Sequence, residues 1–142
     1  MRLFTLFFVA VFGLMTSALA EGERPRVDRY ALGFTGELGV SVTLLGMGKK
    51  DDKEFLMQIS GVNHDWDRKI LKVKKVNQNT NGSNHNYQVQ DGDKTYNAVV
   101  VRSRSYTLYL PGIKDSYRLS YDKGIARSVA PEHMLTKYLE KK

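Results

Sequence analysis

The sequence predicts a mainly β fold: an antiparallel meander of about seven or eight strands forming a small barrel or sandwich, with one short C-terminal helix. Three observations carry this expectation. From Tyr30 onward, apolar and polar residues alternate at period two in short runs, the pattern of half-buried strands. Gly, Asp, Asn and Pro break these runs at close intervals, as turns require. Only after Pro131 does the apolar spacing change to that of a helix. An open sheet wrapped around that helix is the alternative architecture.

Residues 1–20 read as an export signal. Arg2 supplies a positive start, Leu3 to Leu14 is nearly all apolar, and Ala18-Leu19-Ala20 presents small residues for cleavage before Glu21. The apolar run is shorter than the about 20 residues of a membrane span. Cleavage after Ala20 would leave 122 of the 142 residues, a length typical of one domain. Residues 21–29 are polar and contain Pro25, so they read as an extended or loose N-terminal arm. Residues 30–142 are then expected to form a single β-rich domain, with the helix at 131–140.

Within that domain Leu38, Val40, Val42 and Leu44 alternate with Gly39, Ser41 and Thr43 to give a strand with one buried face. Gly46 to Lys53 reads as a turn, and Phe55, Met57 and Ile59 mark the returning strand of a hairpin. Gly46-Met47-Gly48-Lys49-Lys50 has the residue types of a phosphate loop without its spacing. Gly61 to Lys69 is a connection. Ile70 to Val76 is a strand with Leu71 and Val73 inward and Lys72 and Lys74 outward. Asn77 to Asn86 has no apolar periodicity and reads as a long loop. Tyr87 to Gln90 is a short strand, and Asp91-Gly92-Asp93-Lys94 is a hairpin turn, since Asp and Gly accept positive φ. Thr95 to Ser103 returns with Tyr96, Ala98 and Val100 on one face and Val99 and Val101 on the other, which suits a central strand. Tyr106 to Leu110 is a strand closed by Pro111-Gly112, and Tyr117, Leu119 and Tyr121 mark the last strand. In the tail, Met134, Leu135, Tyr138 and Leu139 fall on one side of a helix that starts at Pro131 and Glu132 and runs to Glu140.

The chain contains no cysteine. That excludes disulfides, a lipidated cysteine, a thiolate nucleophile and a Cys-based zinc site. A cysteine-free exported chain of this size points to a bacterial periplasmic or secreted protein. In a eukaryotic secretory route Asn81-Gly82-Ser83 would be a glycosylation acceptor. No second apolar stretch reaches spanning length, so the mature chain is expected to carry no transmembrane segment. The net charge of +7 falls to +6 when Arg2 is removed. Such a surplus favours an acidic protein or an envelope polyanion as partner, and no nucleic acid is expected outside the cytoplasm.

Asn63-His64-Asp65-Trp66-Asp67 is the densest cluster of chemistry-bearing side chains and holds the only tryptophan. Two carboxylates beside an imidazole are the raw material of a hydrolase, so His64, Asp65 and Asp67 are the weak catalytic candidates. The same residues read better as a loop whose Asp side chains cap backbone N–H groups while Trp66 packs on the core edge. They lack the spacing of a calcium loop. The three histidines, His64, His85 and His133, lie far apart, and there is no H-E-x-x-H pair. No metal or cofactor is expected, and His85 and His133 read as solvated. No G-x-S-x-G elbow is present. The partner-binding candidates are Lys72 and Lys74 on one strand face, Arg102 and Arg104 on another followed there by Tyr106, and Trp66 as an aromatic anchor.

These features favour binding over catalysis. The first expectation is an exported binding protein, such as an inhibitor or immunity protein directed at an acidic protein partner. The second is a domain that binds an envelope polyanion, lipid or glycan through Lys72, Lys74, Arg102 and Arg104. The weakest is a hydrolase using the His64–Asp67 loop. An open sheet would also expose edges on which two copies pair as a homodimer.

Overall fold

A computed structural model describes residues 24–141; the signal segment at 1–20 lies outside the described residues. The strands are β1 (Leu32–Gly36), β2 (Ser41–Met47), β3 (Glu54–Ser60), β4 (Ile70–Asn77), β5 (Asn84–Asp91), β6 (Lys94–Arg102), β7 (Ser105–Leu108) and β8 (Tyr117–Tyr121). Two helices follow, α1 (Lys123–Ser128) and α2 (Pro131–Glu140). Each strand pairs antiparallel with the next, and β8 returns to β1, so the eight strands form a closed barrel rather than a sandwich or open sheet. Closure leaves none of these strands with a free edge, so edge-to-edge pairing of two copies has nothing to use.

Alternation along each strand sends one set of side chains inward. Phe34, Val42, Leu44, Met57, Ile59, Val73, Val89, Val99, Val101, Leu108 and Leu119 fill the interior and are almost fully buried. An eight-stranded barrel has a lumen just wide enough for such side chains, and here they occupy it. The outer face carries a second, smaller core. Leu45, Met47, Leu56 and Ile70 point outward from β2, β3 and β4, and α2 covers them with Met134 and Leu135. Helix α2 has the bounds read from the sequence, and its apolar side docks on the sheet as expected.

Residues 24–29, the described part of the arm, are extended and held in place. Asp28 donates its N–H to the Gly46 carbonyl and Gly48 to that of Arg26, so the arm continues alongside β2 beyond the end of β1. Arg24 reaches α2, pairing with Glu132 at 3.1 Å and donating to the Thr136 hydroxyl.

Four strand assignments change for identifiable reasons. Leu38 lies outside β2, in a 3₁₀ turn with φ 61° and 90% exposed, because Gly36 to Gly39 makes the β1–β2 reversal. A bulge opposite Tyr87 and Gln88 shifts the alternation of β6, so Val99 and Val101 join Tyr96 in facing inward and Val100 faces out. Strand β6 stops at Arg102: Ser103 and Arg104 form a two-residue hairpin turn, with Ser103 at φ 57°. Strand β5 starts at Asn84, so His85 belongs to a strand and not to a loop. Helix α1 has no signal strong enough to be read beforehand. Asp122 caps it, accepting from the Ile125 N–H at 3.1 Å. It lies against β1 where Gly33 leaves room, since a Cβ there would meet Ala126 and Ile125.

Candidate functional site

The meander gives the barrel two unlike ends. One is closed. The 61–69 and 109–116 connections cross it, and they place Val62 and Leu110 in the interior core with Trp66 and Ile113 packed against it. At the other end, the turns at 48–53, 78–83 and 103–104 contribute no buried residue. Around that open end Tyr30, Leu32 and Tyr121 stand exposed.

The His64–Asp67 cluster belongs to the closed end, and its polar atoms hold the connection in shape. The Asp67 Oδ1 accepts from the N–H groups of Gly61 at 2.9 Å and Val62 at 3.2 Å. His64 Nδ1 accepts from the Trp66 N–H at 3.0 Å, so its Nε2 carries the proton and donates to the Pro111 carbonyl at 2.9 Å. Trp66 stacks edge-on against His64 and Tyr96. Both ring nitrogens and the Asp67 oxygen are therefore occupied by backbone groups, and Asp65 is exposed. Among the described residues no group of three His, Cys, Asp or Glu side chains converges to hold a metal.

The basic candidates separate. Lys72 and Lys74 do share the outer face of β4. They line a groove of about 450 Å³ with Gln88, Gln90, Thr95 and Tyr138. Lys72 is paired with Glu54 at 2.6 Å, and that hydrogen bond raises its proton affinity against the effect of burial. Arg102, Arg104 and Tyr106 do not form one platform. Arg102 lies on the outer face, donating to Asn86 Oδ1 at 3.0 Å and to the Val101 carbonyl. Arg104 sits in the turn. Tyr106 faces the interior, opposite Val101, with its ring 4.9 Å from that of Phe34. The hairpin turn at Ser103 puts Arg102 and Tyr106 on opposite faces.

The open end holds the residues that the sequence did not single out. Cross-strand partners share a face, and Lys75 pairs with Tyr87 while His85 pairs with Val101, so Lys75 and His85 point inward. Phe55 meets Tyr87 edge-on at 5.2 Å, and His85 meets Tyr87 at 5.4 Å. His85 Nδ1 lies 2.8 Å from the Gly82 carbonyl. Burial lowers the proton affinity of His85; the Gly82 carbonyl opposes this, and Lys75 and Arg102 add to it. Burial pushes the Tyr87 phenol up to about 12. Beside them a cleft of about 300 Å³ opens between the β2–β3 turn, β4 and the arm. A signal for Lys75 was present: it continues the period-two row of Leu71 and Val73.

Charge divides along the barrel axis. At the open end the β2–β3 turn carries Lys49, Lys50 and Lys53 against Asp51 and Asp52, and the 78–83 loop carries no charge. Arg102 borders the β6–β7 turn and Arg104 lies in it, with no acid in that turn, and Lys75 adds a further cation. At the closed end Asp65 and Asp67 face Arg68 and Lys69, while Asp91 and Asp93 face Lys94. The ion pairs among the described residues are Arg24–Glu132, Arg68–Asp67 and Lys72–Glu54, and none uses these open-end cations.

Comparison with protein-family models, with curated proteins and with solved structures finds no match to this chain. No helix among the described residues is long and apolar enough to cross a membrane.

Proposed function

We propose that this chain is an exported binding protein, an inhibitor or immunity protein acting on an acidic protein partner, and that the open end of the barrel is its contact surface. The observation that carries this reading is the gathering of cations without ion pairs at that end, around the exposed Tyr30, Leu32 and Tyr121. Such a surface steers an acidic partner to one face of the molecule and offers apolar area once the two meet. The hydrolase reading has little support, because the atoms it would need at His64 and Asp67 hold the loop instead. The polyanion reading is weaker than the first because Glu54 already neutralises Lys72 on the β4 face.

The test is capture from the source organism's envelope and secreted fractions by residues 21–142, at low and high salt, with the bound material identified by mass spectrometry. Two triple variants accompany the parent chain. Lys49→Glu, Lys50→Glu and Arg104→Glu reverse charge at the open end; Lys69→Glu, Lys94→Glu and Lys114→Glu do so at the closed end. One acidic protein should be retained at high salt and lost with the open-end variant alone. Equal retention by both variants would move the surface elsewhere. Capture of only lipid or glycan, lost at high salt, would favour the polyanion.

A further inference from the structure

The outer face of the β2–β3 ladder changes character along its length. Leu45 pairs with Leu56, and α2 covers them. The next two outward pairs, toward the closed end, are polar: Thr43 with Gln58, then Ser41 with Ser60. This stretch is nonetheless not open sheet. Helix α1, seated on the neighbouring β1, borders it with Ile125 and Ser128, and α2 borders it with His133 and Lys137. Together they bound a pocket of about 270 Å³ that the four outward polar residues line. Polar groups drawn between packed elements are ordinarily hydrogen-bonded. Here the Ser41, Thr43 and Ser60 hydroxyls, all on half-buried residues, have no partner among the described residues. Gln58 gives one amide N–H to the Arg68 carbonyl at 3.1 Å and keeps a second. No carboxylate lines the pocket, and Lys137 makes no ion pair among the described residues.

The geometry points to this pocket as a binding site for a phosphate monoester group. Donors come from three elements: hydroxyls from β2 and β3, with the Lys137 ammonium and the His133 imidazole from α2. A phosphate spreads its oxygens over a tetrahedron and accepts from the sheet and the helix together, whereas a carboxylate offers two oxygens in one plane. The first turn of α2 also borders the pocket, and Ala130 gives it no capping side chain, which adds a preference for negative charge. The volume falls below the about 300 Å³ at which sites for drug-sized ligands begin, so the pocket takes a head group. Ile125, Val129 and Met134 offer apolar contact to the first carbons of the ester. The pocket lies away from the open-end surface proposed above, and the inference does not depend on that reading. A soluble phosphate ester and the phosphate of a lipid headgroup bring the same chemistry to it.

NMR titration of residues 21–142 with glycerol 3-phosphate at constant ionic strength tests the site, with sodium acetate and glucose as comparisons. Saturable shifts are expected at the amides of residues 41–43, 58–60 and 132–137, and none at the open-end turns. Lys137 is exposed, so Lys137→Met keeps the fold; it should weaken binding about tenfold or more. Ser41→Ala combined with Ser60→Ala should weaken it as well, whereas Lys94→Met, outside the pocket, should leave it unchanged. Non-saturating shifts, or the same affinity in Lys137→Met, would overturn the site. Acetate or glucose bound as tightly as glycerol 3-phosphate would overturn the phosphate assignment. Phosphatidylcholine vesicles with and without phosphatidic acid separate the two sources. Cosedimentation that needs phosphatidic acid, is lost in Lys137→Met and is kept in Lys94→Met assigns a lipid headgroup. Saturable glycerol 3-phosphate binding without vesicle capture assigns a soluble ester.

Discussion

Replacing Asp67 by alanine removes the acceptor that shapes the connection across the closed end. The Oδ1 atom takes two backbone donors, from Gly61 at 2.9 Å and from Val62 at 3.2 Å. A hydrogen bond to a charged acceptor contributes about 1.5–3 kcal/mol. Val62 is buried, so its N–H is left unpaired; Gly61 is exposed, so water takes over there. The Arg68 pair, at 3.8 Å and well exposed, adds under about 1 kcal/mol. The expected loss is about 2–4 kcal/mol. In a chain of this length that lowers Tm by about 10 °C. Asp65 is exposed, and Asp65→Ala should stay within about 0.5 kcal/mol of the parent. Urea unfolding followed by Trp66 fluorescence reads both. An Asp67→Ala chain as stable as the parent would refute the structural role and return Asp67 to the list of candidate catalytic groups.

Three further outcomes follow from the packing and the charges. Burial holds His85 below its ordinary 6.5, so the unfolded chain takes up that proton first and stability should fall as pH drops from 6.5 through the lowered folded value. The urea midpoint should therefore be lower at about pH 5 than at about pH 7.5, and His85→Gln should reduce the difference; an unreduced difference would exonerate His85. Leu135 is fully buried between α2 and the outer face of the sheet, so Leu135→Ala should cost about 2–5 kcal/mol in urea unfolding; a loss below about 1 kcal/mol would make the helix dispensable. Ser103 holds the positive φ that a type II′ turn asks of its first central residue, and Ser103→Gly should raise stability by about 0.5–1 kcal/mol. A drop in Tm would contradict that turn geometry.

The sequence was most legible where local chemistry and burial agree. Val42, Leu44, Met57 and Ile59 alternate without interruption, and they face inward as read. Pro131 and the row of Met134, Leu135, Tyr138 and Leu139 mark a helix whose bounds needed no adjustment. Errors arose where a non-glycine residue takes a positive φ. Leu38 and Ser103 both do, and each also continues a period-two row, so the alternation extends a strand through it. That second error joined Arg102 to Tyr106 on one face. The bulge facing Tyr87 and Gln88 was equally hidden, because an extra residue in a ladder is a property of two strands and not of one. The inward place of Lys75 is legible only from its phase: it follows Lys74 directly but continues the row of Leu71 and Val73, and the register with Tyr87 bears this out.

Seven of the eight strand joints link neighbours in the chain, and only β1 with β8 does not. A hairpin joint costs about 1 kcal/mol of loop-closure entropy, whereas bringing Phe34 to Tyr121 across the whole meander costs about 4 kcal/mol. That joint rests on three residue pairs. Both flanks of this seam are fastened. Helix α1 leaves β8 and presses on Gly33 of β1, while the arm that leads into β1 is tied through Arg24 to α2. The tail thus works as a buckle on a belt of hairpins. Gly33→Val, which drives α1 off its seat, should speed amide exchange along β1 and β8 and leave β3 to β5 protected. Uniform exchange would mean that the belt opens as one piece.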